Sequence, residues 1–225
     1  MNFTIERVYT FKDLGVLFDT ELTFEMHIES ITSKAKSKLG MIKRWSKEFN
    51  NMFITKTLFV SLVRSTLEFA SSVWDPTYIC HNAKIESIQK QFLLFLLNNL
   101  HWNDRLHLPS YEHRLYLVNM NRLEDRRCML NAVFASKLLN GHIDCPNLLS
   151  SINISAPARR TRAKNYRICT LNFNRTNYLN DEPFRNIQRD FNKFYHFFDF
   201  NVSNNIFKKN VLHDFTQQQR LPVVV

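Results

Sequence analysis

At 225 residues the chain is long enough for one large or two small domains, and 44% hydrophobic residues with 20 phenylalanines suffice for a real core. Three glycines and six prolines argue against a loop-rich, barrel-like or collagenous protein. A formal charge of +10 and a pI near 9.6 point to a polyanionic partner, nucleic acid ahead of an anionic membrane surface.

In chain order, Lys12–Phe18 reads as one short strand carrying Gly15, followed by a turn at Asp19–Glu21. From Phe24 the apolar residues Phe24, Ile28, Ile31, Ala35, Leu39, Ile42 and Phe49 recur at three, four or seven, the spacing of one helix face. A second helix is predicted over Met52–Trp74, with Phe59, Leu62, Val63, Thr66, Ala70 and Val73 inward and Asp75-Pro76 as its stop. A third covers Asn82–Asn98, burying Ile85, Ile88, Phe92, Phe95 and Leu96. Three such helices with short connections form an antiparallel bundle.

Ser110–Asn119 reads as a short helix, and Met120–Leu139 as a longer one with Asn140-Gly141 as its C-cap. Residues 145–180 hold no Asp or Glu and are expected to be extended and partly irregular. Helical spacing returns at Pro183 with Phe184, Ile187, Phe191, Phe194, Tyr195 and Phe198, and a last short helix is expected over Asn204–Phe215. The longest apolar run, Phe92–Leu97, is far short of the roughly 20 residues that span a bilayer. The start MNFTIERVYTF lacks the basic and apolar regions of a signal peptide. With four dispersed cysteines this places the chain inside the cell, in cytoplasm or nucleus.

Two basic clusters stand out. Lys34, Lys36, Lys38, Lys43, Arg44 and Lys47 lie between Glu29 and Glu48 with no acid among them. At 100° per residue, Lys36, Lys43 and Lys47 fall within about 40° of one another, beside the apolar face, where a stripe of cations can follow a phosphate backbone. Arg159, Arg160, Arg162, Lys164 and Arg167 surround Tyr166, combining phosphate-matching forks with a ring able to stack on a base. The bland readings are a solvated helix face for the first and a basic linker for the second. His142-x-x-Cys145 lacks a second close ligand pair, so no metal site is expected. No Asp-Asp pair exists; Glu124-Asp125 lies beside Arg126 and Arg127, where helical ion pairs account for it.

Several segments, in this order, resemble the reverse transcriptases of non-LTR retrotransposons, particularly jockey-type elements. They are KDLGVLFD (Lys12–Asp19) with Phe24, His27 and Ile28; SLVRSTLEFASSVWDP (Ser61–Pro76); IESIQKQFL (Ile85–Leu93); and RTNYLNDEPFRNIQRDFNKFYHFFDF (Arg175–Phe200). The resemblance implies a mainly α chain: a palm-edge strand remnant at 1–22, a thumb-like helical domain at 23–143, a basic irregular linker at 144–182 and C-terminal helices at 183–225. In that family the catalytic aspartates lie upstream of the strand, and only eleven residues precede Lys12 here. It therefore implies a thumb that grips an RNA–DNA duplex through Lys36, Lys43, Arg44 and Lys47, with no polymerase activity of its own. Mg²⁺ would belong to the full-length parent enzyme, and His27 is a packing or capping residue. One departure is Leu94-Phe95-Leu96-Leu97, wholly apolar where family members carry a basic residue. The alternative is a non-enzymatic basic interaction module, or a mobile-element relic, binding protein through exposed apolar helix faces.

Overall fold

The computed structural model describes residues 8–49, 51–99, 109–155, 167–171 and 182–220, and the chain is mainly helical. It divides into two compact units, Met1–Arg114 and Leu115–Val225.

The first unit begins with a hairpin rather than one strand. β1 (Thr10–Asp13) pairs antiparallel with β2 (Val16–Asp19), with Asp13 opposite Val16. The break falls at Leu14-Gly15, whose φ values of 43° and 92° are those of a two-residue type I′ turn. A glycine inside a strand pattern was the signal for this reversal. Asp19 then organises the entry to α1 (Glu25–Phe49). Its Oδ1 accepts the Glu21 and Thr23 amides at 3.1 and 2.9 Å, and its Oδ2 accepts the Phe24 amide at 2.7 Å and the Thr23 hydroxyl at 3.1 Å. These bonds hold Leu22 and Phe24 at positive φ, which a side chain does not adopt unaided. His27 is buried. The Leu17 amide donates to its Nδ1 at 3.3 Å, and its ring meets Trp74 edge-on at 5.3 Å. It is a packing residue that ties β2 to α1.

α1 buries Ile28, Ile31, Ala35, Leu39 and Ile42, the face expected from their spacing, with Phe24 buried just before it. The second helix is not continuous. Asn51 caps α2 (Met52–Leu58) by accepting the Phe53 and Ile54 amides at 2.9 and 3.2 Å. A π-helical segment follows (Phe59–Arg64), then α3 (Ser65–Glu68), a break at Ala70 with φ 52°, and α4 (Ser71–Trp74). The wider π turn advances the inward positions by four, so Phe59, Val63, Leu67 and Ser71 are buried. Leu67 and Trp74 take the places expected of Thr66 and Val73, and Val73 is exposed. α5 (Ile79–Asn99) buries Ile85, Ile88, Phe92, Leu93, Leu96 and Leu97, so much of the apolar stretch at 94–97 faces the core. Phe95, expected inside, is half-buried.

The division between units falls inside α6 (Tyr111–Val118), whereas 23–143 was expected to form one domain. The reason is the partner of α7 (Leu123–Leu139). Its buried Met129, Ala132, Ala135 and Leu138 share a core with Ile187 and Phe191 of α9 (Pro183–Lys193) and Phe207, Val211 and Phe215 of α10 (Asn204–Arg220). α7 ends in a Schellman motif: Gly141 has φ 70°, its amide reaches Leu138 O at 3.2 Å, and the His142 amide reaches Lys137 O at 2.9 Å. The expected linker also contributes to this core. After the short α8 (Pro146–Ser150), Ile152 is buried, and Ile154 forms a bridge with the buried Cys169. Asn192 of α9 closes on that bridge, its Oδ1 accepting the Cys169 amide at 3.0 Å and its Nδ2 donating to Cys169 O at 2.8 Å.

Two groups make the first unit acid-sensitive. Burial alone would raise the Asp19 carboxyl, but the bonds from Thr23, Phe24 and Glu21 outweigh it and hold the group below its ordinary value. Burial, helped by the charge of Lys34, pushes the His27 imidazole down. Both folded values are depressed, so each contributes stability that is full above its unfolded value and is lost as pH falls toward the folded one. The loss starts below about 6.5 for His27 and below about 4 for Asp19. In urea titrations followed by tryptophan fluorescence, the midpoint is expected to drop between pH 7.5 and 5. His27→Gln should remove most of that drop, and Asp19→Asn should flatten the fall below pH 4. An undiminished drop in His27→Gln would assign it to another group.

Candidate nucleic-acid interface

The basic residues of α1 are distributed around a helix whose opposite side is anchored, and their surroundings differ. Lys36 and Lys47 are exposed, as are Lys34 and Arg44. Lys43 is half-buried, its Nζ lying 5.6 Å from the centre of the Phe95 ring on α5. The ring face attracts the ammonium and fixes its position. Lys38 belongs to the other flank of the helix, where its Nζ donates to Thr66 Oγ1 of α3 at 2.7 Å. The acid-free run is thus split: Lys36, Lys43 and Lys47 share one flank, and Lys38 is held on the opposite one.

The useful row includes a residue that carries no charge. Lys36, Gly40, Lys43 and Lys47 succeed one another at four, three and four, so they lie side by side on the surface. A Cβ built on Gly40 would meet no heavy atom within 4 Å. A glycine in a helix interior costs about 1 kcal/mol relative to alanine. Here it leaves a gap between cations where a backbone can come close. Lysine counting overlooks it; the spacing relative to Lys36 and Lys43 would have found it. The row rises about 16 Å along the helix axis, the axial length of about five nucleotides on one strand.

Nearby acid is neutralised from outside the helix. Glu29 lies on the same flank, two turns before the row, and Lys84 of α5 donates to its Oε1 at 2.9 Å. That bond and the Lys84 charge hold the Glu29 carboxyl below its ordinary value. The positive character of the flank therefore continues toward the start of the helix.

The second basic cluster is only partly placed. Arg167 is exposed, next to the bridge between Ile154 and Cys169 in the second unit. Arg159, Arg160, Arg162, Lys164 and Tyr166 lie outside the described residues, as do Arg175–Asn180 of the C-terminal resemblance. Among the described residues no three His, Cys, Asp or Glu side chains converge on a point that could hold a metal ion. Cys128 and Cys169 are buried thiols pushed up by burial, Cys169 to about 11, which leaves them poor nucleophiles. Among the described residues no helix is long and apolar enough to cross a membrane. Comparison with known protein families, with curated proteins and with solved structures finds no match to this chain.

Proposed function

We propose that this chain is the thumb and C-terminal region of a jockey-type non-LTR retrotransposon reverse transcriptase, and that it grips a nucleic-acid duplex without carrying the chemistry of polymerisation. The observation that carries the reading is the row Lys36–Gly40–Lys43–Lys47 on a helix whose other face is fully buried. A row of cations on a rigid rod binds phosphates without ordering a flexible segment, and it reads charge and spacing rather than base sequence. The sequence offers no Asp-Asp pair to hold catalytic metals, so binding is the activity assigned to this chain.

Binding to an RNA–DNA duplex, measured by fluorescence anisotropy between 50 and 200 mM salt, tests the reading. Changing Lys36, Lys43 and Lys47 together to alanine is expected to flatten the salt dependence by about one unit per lost phosphate contact, three in all. Three contacts correspond to roughly a 40-fold affinity change across that salt range. Gly40→Leu keeps every charge and removes a helix-weakening glycine, so it should stabilise the fold while weakening binding. Unchanged affinity in the triple variant would remove the assigned role from α1.

A further inference from the structure

Among the described residues, β1 is an edge strand with β2 as its one neighbour. In a two-residue hairpin the residues flanking the turn exchange both hydrogen bonds, and the pairs then alternate. Asp13 with Val16 and Phe11 with Phe18 are therefore bonded pairs, and the backbone groups of Thr10, Lys12, Leu17 and Asp19 point away from the ladder. The β2 side fits this parity: the Leu17 amide reaches His27, and Asp19 O accepts the Leu22 amide at 3.1 Å. On the β1 side the outward groups of Thr10 and Lys12 have no neighbouring strand among the described residues. All four β1 residues are exposed. Around them stand large apolar side chains left in solvent: Tyr9 at 69% exposure, Phe11 at 54%, Leu14 at 88%, and Phe69, whose ring abuts Gly15, at 58%.

We propose that this edge pairs with the same edge of a second copy of the chain, joining two hairpins into a four-stranded antiparallel sheet. Parity restricts the register, because only Thr10 and Lys12 can supply the new bonds. Centring the two-fold axis on Phe11 sets Thr10 against Lys12 of the second copy, and the converse, with four backbone hydrogen bonds. Phe11 then faces Phe11 of the second copy in a non-bonded pair, where side chains are closest. The existing stack of Phe11 on Phe18, 4.9 Å between ring centres, continues across the axis. Asp13 meets Tyr9, and no like charges are opposed. Centring on Lys12 instead would set two ammonium groups face to face. The arrangement is isologous, so one patch serves both copies. The exposed parts of Tyr9, Phe11 and Phe69 supply roughly 250–450 Å² per copy, taking about 150–250 Å² for each full ring, and Leu14 adds to this. That is below the ~800 Å² per partner of a standard interface, so a dimer with a Kd of roughly micromolar order is expected.

Sedimentation of the full chain over a range of concentrations tests this. The expected result is a reversible monomer–dimer equilibrium. Thr10→Pro removes one outward amide at the first strand position, where proline leaves the β1–β2 ladder intact. It should weaken association about tenfold or more with helix content unchanged. Phe11→Cys in a Cys80→Ser background should oxidise to a covalent dimer faster than Leu14→Cys, because non-bonded pairs sit about 4.5 Å apart at Cα, within disulfide range. A chain that stays monomeric throughout, a dimer indifferent to Thr10→Pro, or equal cross-linking of the two cysteine variants would each overturn the proposal.

Discussion

Phe92→Ala is expected to lower the stability of the first unit by about 3–5 kcal/mol, the cost of removing a large aromatic from a core that cannot fully collapse. Phe92 and Phe59 are both fully buried, their rings parallel to within 10° and 3.9 Å apart. The pair joins α5 to the π-helical segment, so losing either ring leaves the other facing a void. Phe59→Ala should therefore cost a similar amount. The double variant should cost less than the sum, with a coupling of about 0.5–1.5 kcal/mol. Phe53→Ala is the internal control: its ring is 77% exposed and its loss should change stability by no more than about 0.5 kcal/mol. Trp45 and Trp74 belong to the first unit, Trp74 fully buried, so tryptophan fluorescence reports its unfolding. A Phe92→Ala midpoint close to wild type would mean that the stack is not a core contact.

How much of this fold is legible in the sequence depends on whether one rule governs a segment. In α1 the 3.6-residue period acts alone, so Ile28, Ile31, Ala35, Leu39 and Ile42 are found inside as their spacing requires. In the 52–74 stretch a π segment and a left-handed Ala70 intervene. A single period then assigns Val73 to the core in place of Trp74. Nothing in Phe59–Arg64 itself marks the wider turn, which packs on α1 and stacks Phe59 on Phe92 of α5. The hairpin shows the opposite case. Gly15 was visible as a strand-breaking residue, but only the pairing of Phe11 with Phe18 shows that the chain reverses there.

The candidate site was legible to a similar degree. Charge and spacing single out Lys36, Lys43 and Lys47, because a helical wheel needs no tertiary information. That Lys43 rests over Phe95, and that Lys38 is drawn to Thr66 on the far flank, depends on helices 28 to 52 residues away in sequence. The Leu94–Leu97 stretch is wholly apolar where the resembling family carries a basic residue. Leu96 and Leu97 fill the core, and Phe95 serves as a seat for a lysine.

The second unit holds a polar group whose role only tertiary structure exposes, and removing its counter-ion should have the other large effect. Asp190 is buried among the side chains of α7 and α9. Its Oδ2 accepts the buried Asn131 amide at 2.9 Å, and its Oδ1 accepts the Lys193 ammonium at 2.7 Å. Burial alone would push Lys193 down, but Asp190 and the adjacent Cys128 raise it to about 12. The two charges are unequally placed: the Lys193 side chain is 56% exposed and that of Asp190 only 10%. Lys193→Met therefore leaves a largely buried carboxylate without its counter-ion, and is expected to cost about 3 kcal/mol. Asp190→Asn leaves a lysine free to swing into solvent and keeps a hydrogen-bonding group beside Asn131, so its cost should be about 1–2 kcal/mol. The buried thiols of Cys128 and Cys169 provide the readout, since their labelling in rising urea follows opening of this unit alone. Equal costs for the two variants would show that the carboxylate is not held by the lysine.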